Sequence, residues 1–106
     1  LSLAIKLGTQ RRPKVIGQLF ANIEDSPHCR VIGSCAMGAA SEVIGDMLGA
    51  PSKWAAHSFY DEVLCSQQID PVTLIYDSLN SIIVRLNNYN GWSREKISEW
   101  VASVGH

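Results

Sequence analysis

The residue of this chain that is best placed for chemistry is Cys35, which stands where an apolar segment with helical periodicity begins. A thiol in the first turn of a helix feels the positive end of the helix dipole, which lowers its pKa and favours the thiolate. A nucleophilic cysteine also needs a base, and His57 is the only histidine in the middle of the chain. Cys35 and His57 are therefore candidate catalytic residues. The alternative is a small packed cysteine without reactivity, and residues 33–38 do not match the hydrolase pattern of glycines flanking a nucleophile.

A metal site would have to be built from the three cysteines and a histidine, which are Cys29, Cys35, His57 and Cys65, with His28 as a further candidate. These four are separated by five, twenty-one and seven residues, so the chain has no Cys-x-x-Cys pair. Structural zinc sites usually contain such close pairs. We therefore predict that the protein uses no metal ion and no cofactor.

Three residues are candidates for a binding site. Ser34 and Cys35 would border a pocket at the start of the predicted helix. Trp54 lies in a stretch without apolar periodicity, so we expect its side chain to be partly exposed. Exposed aromatic side chains are typical anchors for protein partners. The sequence thus leaves two kinds of partner open, another protein and a ligand bound near Cys35.

The charge pattern argues against nucleic acid and against a membrane as partners. The formal net charge is −1, and the last predicted helix carries as many acidic as basic residues. A basic run near the N-terminus lacks interleaved aromatic side chains that could stack on bases; it consists of Lys6, Arg11, Arg12 and Lys14. No apolar run approaches the roughly 20 residues that a transmembrane helix needs.

Length and composition predict a single domain over residues 1–106. The chain is 46% hydrophobic and 18% charged, so it can form a core and does not have the composition of a disordered segment. Three cysteines are an odd number at low density, which favours free thiols in the cytoplasm. A domain of this size buries roughly two-thirds of its unfolded surface. Self-association would cover more of it, so we expect a homo-oligomer.

The N-terminal part is predicted to form a helix and a hairpin. Leu3, Ile5 and Leu7 do not distinguish a strand from a helix, and Gly8 just behind them favours the tail of a truncated helix. Residues 9–14 are polar and contain proline, which favours a loop. Two apolar runs, residues 14–20 and residues 30–33, flank the turn residues 24–27. This arrangement predicts one short hairpin that lies on a helix.

A helix with an apolar face follows the predicted hairpin. Ser34 is the predicted N-cap, and a stop is predicted at residues 49–51. Its apolar residues recur at helical spacing; they are Ala36, Ala40, Val43, Ile44 and Met47. Gly38 and Gly45 lower the helix propensity and share a face, which predicts that another segment packs closely against this backbone. Residues 58–64 suggest a further short helix.

The C-terminal part is predicted to be a pair of helices. Asp70 is the predicted N-cap of the first and Pro71 its first helical residue. The apolar stripe of this helix comprises Val72, Ile75, Tyr76, Leu79, Ile82, Ile83 and Leu86. A turn at residues 87–91 leads to a last helix that Ser93 caps. Its apolar face comprises Ile97, Trp100, Val101 and Val104, and we expect the two stripes to share one core.

Two short segments resemble elements found together in small proteins of bacteria and phages. Residues 35–40 are similar to a Cys-Ala-Leu-Gly-Ala element that follows a hairpin, with Met37 in place of leucine. Residues 86–101 contain Leu-Asn-Asn, Trp-Ser-Arg-Glu and Trp-Val, and resemble a Leu-Asn-Asp turn before a terminal helix, with Asn88 in place of aspartate. The group is a loose one with no activity to transfer. The resemblance implies a shared fold and an accessory, mobile-element origin.

Together these patterns predict a compact, mainly α domain, or an α+β domain if the short N-terminal hairpin forms. For function, the sequence favours a non-enzymatic binding or regulatory module that acts through protein contacts. It contains no phosphate-binding loop, no metal motif and no motif of paired carboxylates. The alternative is a small enzyme or ligand-binding protein with a pocket near Cys35.

Overall fold

The computed structural model describes residues 1–17, 19–25, 28–50 and 52–106, with the backbone alone for the strands at 20–33. Within these ranges the chain forms helices and short strands in the order α1 (Ser2–Thr9), β1 (Phe20–Asp25), β2 (His28–Ser34), α2 (Ala36–Leu48), α3 (Ala55–Phe59), α4 (Asp61–Cys65), β3 (Gln67–Ile69), β4 (Tyr76–Ser78), α5 (Leu79–Asn88) and α6 (Arg94–Ser103). None of the described helices combines the length and the apolar character needed to cross a membrane.

The predicted fold class is confirmed, since the domain is mainly helical with a small antiparallel hairpin formed by β1 and β2. The hairpin uses different residues from those predicted for its first strand. The apolar run at residues 14–20 mostly precedes β1. The first residues of this apolar run instead lie parallel to the end of β2, where the Val15 amide donates to the Ser34 carbonyl at 3.0 Å. The predicted turn at residues 24–27 includes residues 26 and 27, which lie outside the described part of the chain.

Helix α2 begins one residue later than the predicted N-cap implied. Cys35 is the N-cap, and its Sγ accepts from the Gly38 amide at 3.4 Å. The prediction for Ser34 is therefore wrong, because Ser34 ends strand β2 and its hydroxyl is engaged elsewhere. The C-terminal stop is confirmed at Gly49, which adopts a left-handed φ of 65°. Met47 was expected on the apolar face but is 71% exposed.

The close approach predicted for Gly38 is confirmed. A Cβ atom at Gly38 would overlap the backbone carbonyl oxygen of Leu19, the residue that directly precedes β1. The segment that packs on this glycine is therefore part of the same chain. Leu19 also accepts a hydrogen bond from the Cys35 amide at 3.0 Å, so the start of α2 is fixed against this loop.

The predicted central helix is wrong over its first part. Asp70 does not cap a helix; its carboxylate accepts from the Val72 and Thr73 amides at 2.8 and 3.1 Å and forms a turn between β3 and β4. Helix α5 starts later, at Leu79, with Ser78 as N-cap. Aspartate followed by proline is typical of both helix starts and tight turns, because the same side-chain acceptor satisfies the amides that follow it.

The two C-terminal helices contribute to one core, as predicted, together with α1 and α2. Its fully buried members on α5 and α6 are Leu79, Ile82, Ile83, Leu86, Ile97 and Val101. Trp100 packs against this core but remains partly exposed. Helix α6 packs mainly against α1 and makes fewer contacts with α5. The main partner of α6 is thus a helix at the opposite end of the chain.

Candidate functional site

A pocket of about 220 Å³ opens between the start of α2, helix α3 and the C-terminal half of α5. Its lining is mostly apolar and includes both side chains proposed for catalysis. The lining residues are Gly17, Leu19, Cys35, Ala36, Met37, Trp54, His57, Ile83, Val84, Asn87 and Asn88. The structure therefore brings Cys35, Trp54 and His57 to one site, although twenty-one residues separate Cys35 from His57.

The polar side of the pocket is a pair of asparagines at the end of α5. Asn87 is only 1% exposed; its Oδ1 accepts from the Ala36 amide at 3.3 Å, and its Nδ2 donates to the Val15 carbonyl at 3.0 Å. Asn88 Oδ1 accepts from Asn87 Nδ2 and from the Gly17 amide, both at 2.9 Å. This network joins α5 to the start of α2 and to the preceding loop. These hydrogen bonds fix the position of the pocket wall within the fold.

Helix α3 carries the aromatic side of the pocket. The rings of Trp54 and His57 meet edge to face with their centroids 5.2 Å apart. Trp54 is 51% exposed, which confirms the expectation for this side chain. Burial lowers the pKa of His57, so the imidazole is neutral at pH 7. Its Nδ1 atom is buried and has no hydrogen-bond partner among the described residues.

The environment of Cys35 does not activate the thiol. Burial raises the pKa of Cys35, and the backbone amides of Gly38 and Met37 that point at the sulfur do not offset this. The expectation that the helix start lowers this pKa is therefore wrong, because partial burial opposes charge more strongly than the amide dipoles favour it. A nucleophile–base pair requires the two side chains to lie within hydrogen-bond reach, and among the described residues no hydrogen bond joins the Cys35 thiol to His57 Nδ1.

Ser34, the third candidate for binding, does not line the pocket. It is fully buried, and its hydroxyl and carbonyl both accept from Arg94 Nη1, at 3.0 and 3.2 Å. Arg94 Nη2 donates to the carbonyls of Thr9 and Arg12. Ser34 is therefore part of a buried joint between β2, α6 and the end of α1, where it has a structural role.

Of the residues considered for a metal site, Cys35 and His57 line the pocket. Cys65 is exposed at the end of α4 and does not line the pocket. In the part of the chain that the structure describes, no group of three or more His, Cys, Asp or Glu side chains is arranged to hold a metal ion. The side chains of Cys29 and His28 lie outside that part.

The N-terminal basic residues are largely engaged within the protein. Arg11 forms ion pairs with Asp46 and Glu42 on α2, and Arg12 pairs with Glu42 at 3.2 Å. Lys14 Nζ donates to the Trp92 carbonyl at 2.6 Å. These contacts place the two arginines of the basic N-terminal run against acidic residues of α2.

Several pocket residues were not recognised from the sequence, above all Asn87 and Asn88. They were assigned to the turn after the helix because asparagine favours turns. The sequence nevertheless contains a signal that Asn87 is buried. Asn87 follows Ile83 by four residues and so continues the apolar stripe of α5. A polar residue on the buried face of a helix needs hydrogen-bond partners, which points to a polar feature in the core.

Comparisons with protein families, with curated proteins and with solved structures found no match to this chain.

Proposed function

We propose that this protein is a non-enzymatic binding module that acts through protein contacts, and that its pocket receives an apolar anchor side chain of the partner. The observation that carries the proposal is the pocket itself, with Trp54 half exposed at its edge and neutral Cys35 and His57 in its wall. Binding energy at protein interfaces is concentrated in aromatic or aliphatic anchors that fill such pockets. Among the described residues no hydrogen bond joins the Cys35 thiol to His57 Nδ1, which favours binding over catalysis.

The size of the pocket supports an anchor of one ring or one branched chain. A dry cavity of about 150 Å³ in another protein accommodates a benzene ring. The pocket here, at about 220 Å³, has room for one side chain the size of phenylalanine or tyrosine. Met37 forms part of its wall, and methionine adapts its shape to different apolar groups.

A second candidate function is the binding of a free small molecule in the same pocket. The observation that favours it is His57 Nδ1, a buried nitrogen without a partner among the described residues. A ligand that donates a hydrogen bond to this atom would satisfy it, provided that the imidazole carries its proton on Nε2. Such a ligand would combine an apolar ring with one donor, whereas an anchor side chain needs no polar group.

Titration with toluene and p-cresol, the analogues of the Phe and Tyr side chains, tests both candidates. We expect toluene to shift NMR amide signals of pocket residues with a Kd on the order of millimolar, as for a very small apolar ligand. Val84→Phe should abolish these shifts, because Val84 lines the pocket and is 39% exposed, so a larger side chain fills the space without displacing the core. Leu48→Phe is the matched control, since Leu48 is exposed and outside the pocket.

The comparison of the two probes separates the candidates. Equal affinity for toluene and p-cresol supports the apolar anchor. About tenfold tighter binding of p-cresol, lost in His57→Leu, corresponds to one neutral hydrogen bond and supports the small-molecule candidate. If neither probe shifts the pocket residues, or if Val84→Phe binds both as the parent does, the pocket is not the binding site and the proposal fails.

The reactivity of Cys35 tests the remaining alternative, a cysteine enzyme. We expect Cys35 to react with 5,5′-dithiobis(2-nitrobenzoate) about an order of magnitude more slowly than Cys65 in the native protein at pH 7, because burial raises the pKa of the Cys35 thiol and limits access of the reagent. Cys65 is exposed and serves as the internal reference. Mass spectrometry of the labelled peptides measures both rates. A faster reaction at Cys35 than at Cys65 would support the enzyme.

We further propose that the protein is cytoplasmic and derives from a bacterial or phage mobile element. Cys35 and Cys65 are free thiols, which fits a reducing compartment. The origin rests on the resemblance at residues 35–40 and 86–101. Self-association, expected from the small core, belongs to the same proposal. Gly38 does not contribute to this association, because Leu19 of the same chain covers it.

A further inference from the structure

The hairpin formed by β3 and β4 exposes an unusual run of large apolar side chains. Ile69 and Tyr76 are cross-strand neighbours in its ladder, and the intervening turn adds three more. The exposed fractions of these five residues, called the hairpin patch below, are 47% for Ile69, 46% for Val72, 74% for Leu74, 66% for Ile75 and 68% for Tyr76. None of them contributes to the described core.

The hairpin patch is held in place by a buried carboxylate. Asp70 is fully buried, and Arg85 on α5 donates to its Oδ2 from Nε and Nη2 at 3.2 and 3.0 Å. Arg85 Nη1 also donates to Asp77 on β4 at 2.7 Å. Burial alone would raise the pKa of Asp70, but the Val72 and Thr73 amides and Arg85 together lower it, so the carboxylate is ionised at pH 7. The hairpin is thus fixed to α5, so it loses little conformational entropy when it binds a partner.

The backbone conformation and the exposure of Leu74 are both unfavourable for a leucine in a single copy of the chain. Its φ is 61°, in the left-handed region that disfavours residues other than glycine, asparagine and aspartate. It is also the most exposed member of the hairpin patch. A leucine at such a position stabilises neither the backbone nor the core of a single chain. A contact with another molecule would give its apolar side chain a stabilising role.

We propose that the hairpin patch is the surface through which two copies of this chain associate. The exposed apolar area of its five residues is on the order of 500 Å², at the upper end of patches on monomers and most of the roughly 800 Å² that each partner contributes to a stable interface. A two-fold contact places the same patch on both sides.

The charges of the segment favour a second copy over a charged partner. Residues 69–76 contain one carboxylate, Asp70, which is buried and paired with Arg85, and the adjacent Asp77 is paired with the same arginine. Two such surfaces can therefore meet without repulsion between like charges. The segment also offers no exposed charge with which to select an acidic or a basic partner. This inference uses residues outside the pocket and does not depend on the proposed pocket function.

Sedimentation velocity on the 106-residue chain, from about 1 to several hundred micromolar, tests the proposal over the range in which weak dimers form. We expect the parent protein to form a dimer. The double variant Leu74→Asn, Ile75→Thr should raise the dimer Kd at least about tenfold, because each copy loses two buried apolar side chains. Asparagine tolerates the left-handed backbone, so the monomer should remain folded, as circular dichroism checks.

The matched control is Leu3→Gln, Leu7→Gln, which removes two exposed leucines of α1 outside the hairpin patch. Its dimer Kd should equal that of the parent. A parent protein that stays monomeric over the whole range overturns the proposal. Equal weakening in the control, or a double variant that dimerises as the parent does, overturns it as well. None of these results bears on the binding of toluene in the pocket.

Discussion

Replacing Arg94 by methionine is expected to remove a large part of the stability of this domain. Arg94 is 5% exposed and donates four hydrogen bonds, to Ser34 Oγ and to the carbonyls of Ser34, Thr9 and Arg12. Methionine fills a similar volume but leaves Ser34 Oγ and the carbonyls of Thr9 and Arg12 without this donor, whereas the Ser34 carbonyl keeps the Val15 amide. Each unsatisfied buried group costs about 1–3 kcal/mol. We expect a total loss of about 4 kcal/mol, because relaxation and water will recover part of the sum.

This loss is large compared with the roughly 5–15 kcal/mol of a typical domain. Urea unfolding followed by tryptophan fluorescence measures it. Glu99→Met, at an exposed position on the same helix, is the control and should leave the midpoint within about 0.5 kcal/mol of the parent. Arg94→Lys should fall between the two, since one ammonium group cannot reproduce the geometry of a guanidinium. An unchanged midpoint for Arg94→Met would mean that the acceptors left without Arg94 are satisfied by solvent.

Replacing Gly8 by alanine is expected to destabilise the protein by about 3 kcal/mol, the upper range for overpacking. In an unconstrained helix this change would stabilise by about 1 kcal/mol, because alanine has the higher helix propensity. Here a Cβ atom would overlap the carbonyl of Ala39 on α2 and lie 2.8 Å from the Ala39 Cα. Backbone atoms inside a helix cannot move aside, so α1 would have to separate from α2.

The expected loss of stability is opposite in direction to the gain that helix propensity alone would give. Thermal unfolding by circular dichroism should show a lower midpoint for Gly8→Ala. Lys6→Ala, at an exposed position of α1, is the control and should show little change. A stabilised Gly8→Ala variant would show that the two helices are not in close contact at this point.

The role of Gly8 could not be predicted from the sequence alone. From the sequence, this glycine indicated the end of a helix, yet it lies within α1, which extends to Thr9. A glycine that ends a helix and a glycine at which two helices cross can have the same neighbouring residues in the sequence. Only the position of Ala39, thirty-one residues away, separates the two roles. Gly38 was interpreted correctly because it lies inside a long periodic segment, where a stop is excluded.

Three residues of the candidate site could be predicted from the sequence, but the geometry of the site could not. Cys35, Trp54 and His57 were named from the sequence, and they meet in one pocket. Their chemistry was not predictable in the same way. The helix start favours a low thiol pKa, whereas the burial that raises the pKa of Cys35 depends on side chains from several elements. The pocket wall at Asn87 was missed, because its hydrogen bonds reach residues more than fifty positions away.

The sequence by itself determined the features that depend on neighbouring residues. These are the helical class, the N-cap at Ser93, the left-handed stop at Gly49 and the apolar face of α5. Capping, turn conformation and amphipathic periodicity act over a few residues, so the local pattern is sufficient. The tertiary structure alone decided between turn and helix at Asp70, because the carboxylate can cap either one and Arg85 binds it only in the folded hairpin. It likewise decided that α6 packs mainly against α1, since the packing partner of an apolar stripe is set by the whole arrangement of the core.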